Sequence, residues 1–325
     1  MPQFINMHPI ALQIFMRYSL LLRRLFYILV LVLPFSSEAQ NGFGDLSYDG
    51  YKLVFSEDFN YDPATFKEDP AFRQNWRLHP NEDCTNKGAC VGWGYEIYRA
   101  WMVDMPEPGV IRLRDSATTP ADCINNMVGN PVTHISGMLN LTRADSQGVV
   151  SMGIIEASIR IPPYQGDKST SAWPAFWVAW GHNGDCKGPN ATGGQTEIDI
   201  IDNSDGADRS VQNNIFFKTG WKGIEGENTQ NTKVPTVLSA DFHTYSCLWE
   251  PYSATFYLDG IFLKRIEFSE EKTFSDFQSL YITLQTNERT TNGLEMKVDW
   301  VRYWVPEKSL GAYLSHGYTS PAFAK

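Results

Sequence analysis

The sequence lacks a long run of charge of either sign, although 37 acidic against 27 basic residues leave a net charge of -10. A surface that tracks phosphates needs clustered cations, so no nucleic-acid partner is expected and a neutral or weakly charged one fits better. No segment beyond residue 40 keeps a helical period long enough to build a helical layer, which excludes a helix-rich core. Cys-x-x-Cys pairs and histidine clusters are absent, so a zinc centre has no ligand spacing to rest on. Internal repeats and apolar-poor linkers are also missing. A chain of 325 residues can bury a full core, and a single domain from about residue 44 to 306 is expected, followed by a C-terminal tail over 307–325.

One apolar run stands out, Leu25 to Phe35, and it is too short to span a bilayer. Arg17, Arg23 and Arg24 precede it, and the small residues Ser37 and Ala39 follow. This is the pattern of a secretory signal peptide over residues 1–39, cleaved before Gln40, with a retained membrane anchor as the competing reading. The mature chain is then secreted or extracytoplasmic, in the periplasm or at the cell surface, and can keep disulfides. Its cysteines are Cys84, Cys90, Cys123, Cys186 and Cys247. Cys84 and Cys90 enclose a short polar loop and are expected to pair, as are Cys123 and Cys186. Cys247 sits in a strand-like segment and is expected to be a free buried thiol.

Short strand-like runs alternate with Gly, Pro, Asn and Asp. They are read at Tyr51–Phe55, Val110–Leu113, Ser136–Thr142, Gly153–Ile161, Trp173–Trp180, Glu197–Ile201, Val211–Phe217, His243–Trp249, Ala254–Leu258, Leu280–Gln285 and Met296–Trp304. So many strands require two sheets, each hiding one face against the other. Asp259-Gly260 supplies the turn of a hairpin over 257–262. The Gly-, Asn- and Thr-rich stretch from Trp221 to Val237 reads as a long loop. Aromatic residues make up 14% of the chain, with 10 Trp, many beside Gly, Asn or Pro, a mixture that suits a polar groove with an aromatic floor as well as ordinary core packing.

The most informative segment is Glu197-Ile198-Asp199-Ile200-Ile201-Asp202. Alternation puts Glu197 and Asp199 on one face and Ile198 and Ile200 in the core. Asp202 is out of phase by one residue and returns to the acidic face only through a bulge near Ile200 or Ile201. Carboxylates sharing a face repel, which raises the pKa of at least one and suits it to hold a proton near neutral pH. The bland alternative is a solvated strand, with calcium or nothing bound. In Trp173-Pro174-Ala175-Phe176-Trp177-Val178, the residues Trp173, Ala175 and Trp177 share one face.

At these residues the sequence resembles glycoside hydrolase family 16. Leu53 to Asn60 resembles the family's first strand and Trp93-Gly94-Tyr95-Glu96 its early groove segment. Gly153 to Pro162 resembles the strand that leads into Trp173-Pro174-Ala175-Phe176-Trp177, while Phe242 to Tyr245, Trp249, Phe256 to Gly260 and Val298 to Arg302 resemble the later framework. The resemblance implies an all-β, concanavalin-like jelly-roll sandwich with an open concave cleft. It implies retaining, endo-acting hydrolysis of internal β-glycosidic bonds in a glucan or galactan, with Glu197 as nucleophile, Asp199 between, and Asp202 at the acid/base position. The alternative is a polysaccharide-binding protein whose site has lost turnover. Trp173, Trp177, Gln212, Asn214 and Glu96 are the candidate substrate contacts. A structural calcium on the convex side is implied, with Glu57 and Asp299 as candidate ligands. No cofactor is implied for catalysis. The expected partner is a β-linked polysaccharide, with no protein partner implied and a monomer expected.

Two departures stand out. The family motif is Glu-x-Asp-x-x-Glu, and this chain has Asp202 in the last place. Asp is shorter than Glu by one methylene, so its oxygens fall short by roughly 1.5 Å. Members of the laminarinase kind often carry His in the strand next to the catalytic one, whereas Val211 to Phe216 offers Gln212, Asn213 and Asn214 instead.

Overall fold

The computed structural model describes residues 48–78, 90–126, 128–141, 150–179, 195–218, 224–227, 231–267 and 279–309. The expected leader, most of the tail, Cys84 and Cys186 lie outside these residues. The strands in chain order are β1 (Tyr51–Glu57), β2 (Trp76–Arg77), β3 (Glu96–Tyr98), β4 (Val103–Glu107), β5 (Val110–Ser116), β6 (His134–Ser136) and β7 (Met138–Leu141). They continue with β8 (Gly153–Arg160), β9 (Ala172–Ala179), β10 (Gln195–Asp202), β11 (Ser210–Gln212), β12 (Asn214–Lys218), β13 (Ile224–Glu227) and β14 (Asn231–Lys233). The last are β15 (His243–Glu250), β16 (Ser253–Leu258), β17 (Ile261–Glu267), β18 (Ser279–Thr286) and β19 (Glu295–Pro306).

All but β11 and β14, which pair with each other in a separate two-stranded sheet, form the two expected sheets. A ten-stranded sheet runs β17-β16-β15-β8-β19-β5-β6-β3, with β1 added on β19 and β4 on β5. A seven-stranded sheet runs β13-β12-β10-β9-β18-β7-β2. Their facing side chains make one core. Phe176, Val178, Ile198, Ile201, Ile215, Leu280 and Ile282 come from the smaller sheet, and Ile155, Ala157, Ile159, Tyr245, Cys247, Phe256, Val298 and Tyr303 from the larger. Each such side chain fully removed from water contributes about 1.5–3 kcal/mol, which makes the sandwich, and not any single contact, the source of stability.

Sequence and structure differ at four places. The segment expected as one strand over 136–142 is two, and the chain changes sheets between them: β6 pairs with β5 and β7 with β18. Gly137 is the crossing point, where an added Cβ would lie 2.8 Å from the Met102 carbonyl oxygen. The segment expected as one strand over 211–217 breaks at Asn213 into β11 and β12. The expected loop over 221–237 contains β13 and β14, which pair with strands already in place, so polar composition did not prevent backbone pairing. Cys90 bonds to Cys123, not to Cys84, with Cα atoms 5.7 Å apart. The reason is the parallel pairing of β3 with β6, which brings the returning chain, with Val132 bonded to Ile124, back beside Cys90. Together with Ile97 and Val132, the two cysteines form a small separate apolar cluster. Cys247 is a free buried thiol, and the 257–262 hairpin turns on Asp259 and Gly260, with φ of 50° and 74°.

Candidate active site

The register of β10 against β9 builds the site. Glu197 lies opposite Ala179, Ile198 opposite Val178 and Asp199 opposite Trp177; after a slip at Ile200, Ile201 lies opposite Phe176 and Asp202 opposite Ala175. In a regular strand Asp202 would enter the core with Ile198. The extra residue turns it to the face of Glu197 and Asp199, while Ile200 and Ile201 both stay buried. A bulge leaves a backbone group out of the ladder, and here the Ile200 carbonyl accepts a hydrogen bond from Asn213 Nδ2 at 2.7 Å. Asn213 is the residue at which β11 and β12 separate, so the strand break and the bulge are two sides of one contact.

The three carboxylates differ in surroundings. Glu197 is half-buried and faces Phe216 of β12 across the sheet. Asp199 is buried, and its pKa stands well above the usual carboxylate range, first because of burial and then because of the charges of Glu197 and Asp202; Asn214 opposes the shift. Asp202 keeps only 9% of its surface exposed. Trp173 Nε1 donates to its Oδ1 and Asn214 Nδ2 to its Oδ2, each at 2.5 Å. Burial pushes its pKa up to about 7, with Asp205 adding to the rise, against the pull of the two N–H donors and Lys168. At neutral pH this row therefore has one carboxyl poised between its two forms beside one whose hold on a proton is strengthened by burial and by its neighbours' charges, which is the equipment for moving a proton.

Beside the row lies an aromatic floor. The Trp177 ring stacks on Tyr281 with centroids 4.4 Å apart, and Trp93 meets it edge-on at 4.9 Å. Trp177 is only 3% exposed and its Nε1 donates to Thr283 Oγ1. It supports the floor, and the half-buried Trp93 is the ring above it. Trp93 opens the Trp93-Gly94-Tyr95-Glu96 segment whose resemblance already pointed to the groove, whereas nothing in the sequence marks Tyr281 apart from other strand aromatics. Both glycines flanking Trp93 are required. A Cβ on Gly92 would sit 1.8 Å from the Glu96 carbonyl oxygen, and one on Gly94 would sit 2.1 Å from that of Thr286.

Glu96 needs correction as a substrate contact. It is wholly buried, and its oxygens accept from the backbone N–H groups of Trp93, Gly94 and Thr286 and from the Thr286 hydroxyl. It staples the Trp93 turn to the end of β18. Gln212 stands apart from Asn214, on the small β11–β14 pair, where Ser204 Oγ bonds its side-chain oxygen at 3.4 Å. Trp173 and Asn214 are both brought to Asp202.

Both expected calcium ligands already accept hydrogen bonds. Glu57 accepts from the Phe59 N–H, the Tyr61 hydroxyl and the Trp76 indole N–H, so protons already point at both of its oxygens. Asp299, at a bulge in β19, accepts from Ser158 Oγ at 3.3 Å. Among the described residues no cluster of three or more His, Cys, Asp or Glu could hold a metal ion.

The acidic row and the aromatic floor thus share the outer face of the smaller sheet of a jelly-roll sandwich. The chain belongs to glycosyl hydrolases family 16, whose profile matches residues 138–302, from β7 into β19. It is 28% identical over 111 residues to the Arabidopsis thaliana protein described as probable xyloglucan endotransglucosylase/hydrolase protein 6, covering 33% of this chain and 36% of that one. The chain thus matches only about a third of the length of that relative. The laminarinase catalytic domain from Thermotoga maritima MSB8 superposes with a TM-score of 0.56 at 18% identity, over 78% of this chain and 98% of that one. Porphyranase B from Zobellia galactanivorans superposes with a TM-score of 0.54 at 15% identity, over 80% and 95%. These structural likenesses carry the fold.

Proposed function

We propose that this chain is an exported, monomeric, retaining endo-glycosidase that cleaves internal β-linkages of a glucan or galactan. The observation that carries this reading is the Ile200 bulge, which sets Asp202, with its pKa near 7, on one face with Glu197 and Asp199. Glu197 attacks the anomeric carbon while Asp202 protonates the departing glycosidic oxygen; Asp202 then takes a proton from the water that releases the glycosyl-enzyme. Asp199 lies between them, and the rise in its pKa from burial and from the charges of both neighbours favours the neutral form, which limits the repulsion that Glu197 feels. Trp93 and Trp173 offer ring faces to the sugar units on either side. Structural neighbours named as glucanases and as porphyranases support a polymer substrate without choosing between them.

The test is release of reducing ends from laminarin, mixed-linkage glucan, xyloglucan, agarose, porphyran and carrageenan by the wild type and by Glu197→Gln. Cleavage of one polymer class by the wild type and none by the variant is expected. The short Asp202 favours a second reading, a polysaccharide-binding protein without turnover. Retention of a polymer by a wild type that cuts none of them would select it.

A further inference from the structure

An acid/base needs its carboxyl in one place and able to change protonation state, and a side chain one methylene short of the family's Glu has less reach with which to find that place. Asp202 is gripped from both sides. Trp173 comes from β9 and Asn214 from β12, the two strands that flank β10, and each donates an N–H to a different carboxylate oxygen. Both donors sit on the outer face: Asn214 lies opposite Asp199, and Trp173 is two residues from Ala175, the partner of Asp202. Asn214 is buried, whereas Trp173 is half-buried on the outer face.

We infer that Trp173 and Asn214 are positioning residues for Asp202, a clamp that holds its carboxylate in one orientation and, through the indole N–H, ties a cleft aromatic to the protonation state of the acid. This rests on the glycosidase reading above and deepens it. Trp173 then has two separable parts, a ring for the sugar and an N–H for the acid. The charged groups facing Asp202 are Asp199 and Glu197 on its own strand, Asp205 beyond the strand end and Lys168 before β9. N–H donors favour the ionised form, so loss of either one raises the pKa of Asp202. The acid then stays protonated to higher pH, and the second step, which needs the base, is slowed at neutral pH.

The decisive experiment needs no substrate. In a proton–nitrogen spectrum of the full chain, the Trp173 indole signal, assigned by its loss in Trp173→Phe, should titrate with a midpoint near pH 7 in the wild type. It should stop titrating in Asp202→Asn, and in Asn214→Ala its midpoint should rise by about one pH unit. Kinetics supply the second readout. Trp173→Phe keeps a smaller aromatic face but loses the N–H, so the pH–rate limb of Asp202 should move upward; Trp173→Ala should move the limb alike and raise KM further than Trp173→Phe does. An indole signal that does not titrate, or titrates alike in Asp202→Asn, overturns the clamp. If Asp202→Asn abolishes cleavage while Trp173→Phe leaves the pH profile unmoved, the clamp fails and the glycosidase reading stands. A titrating indole in a protein that cuts no polymer overturns the glycosidase reading instead.

Discussion

Glu96 and Asp202 are both buried carboxylates next to the aromatic floor, and the comparison shows what separates a staple from a proton carrier. Glu96 accepts four hydrogen bonds, three from backbone N–H groups, and touches no solvent. Burial raises its pKa, the N–H donors oppose that rise, and its oxygens hold the Trp93 turn against β18. Asp202 has two donors, a remnant of exposure on the open face, and two acidic neighbours on its own strand. Burial is the largest cause there as well, and the group is left balanced near pH 7. The number and kind of donors, together with access to the open face, separate the staple from the carboxylate placed to do chemistry.

The comparison can be broken in several ways. The largest effect is expected at Glu197, where Glu197→Gln should lower kcat by about 10⁴-fold or more with KM little changed; undiminished hydrolysis would remove the row from catalysis. Asn213→Ala takes the partner from the Ile200 carbonyl and loosens the bulge that turns Asp202 outward. A displacement on the order of 1 Å should cost about a hundredfold in kcat, a loss well beyond any change in melting temperature. Equal losses in activity and stability would show that the bulge is only scaffolding.

Glu96→Gln should behave in the opposite sense. An amide NH2 meets donors that have no lone pair to accept it, which should cost about 2–3 kcal/mol of stability. KM should rise through a loosened Trp93, while the pH profile stays in place. A moved profile with an unchanged melting temperature would erase the contrast between the two residues. The smallest effect is expected at Asp115, on the core-facing side of β5, whose oxygens make no well-formed hydrogen bond among the described residues and whose pKa burial pushes up to about 7. Its folded pKa lies above the unfolded value, so its stability contribution is full below about pH 4 and is lost as pH rises through 7. Asp115→Asn should raise the melting temperature at pH 8, by on the order of 1 kcal/mol in stability, and change little at pH 4. An equal shift at both pH values would contradict that sign.

Period-two alternation made most strands legible, because one buried face imposes it whatever the strand pairs with. The odd spacing of Asp202 made the bulge legible for the same reason: two adjacent isoleucines and a carboxylate cannot all satisfy one phase. What alternation cannot reveal is who arrives from far along the chain. Glu96 meets Thr286 across 190 residues, and Cys90 meets Cys123 through the pairing of β3 with β6. The change of sheet at Gly137 was equally hidden, since a glycine between two apolar runs reads as a strand interior until another backbone is seen against it. Asn213 stands in a strand whose sequence shows only the lack of a histidine, yet its use is to satisfy a carbonyl left out of the ladder once the bulge has formed.

The most direct test of the account is the pH–rate profile of wild type, Asp202→Glu and Asp202→Ala on one polymer that the wild type cleaves. If the bulge delivers a working acid/base, Asp202→Ala should be slowed by about 10²- to 10⁴-fold, and its profile should lose the limb near pH 7. Azide should partly restore its turnover of substrates with activated leaving groups. Asp202→Glu should keep a limb but move it, because the longer side chain leaves the Trp173 and Asn214 donors. Three equal rates with one shared pH profile would contradict the assignment of Asp202 and, with it, the central claim that the slip at Ile200 builds the active site.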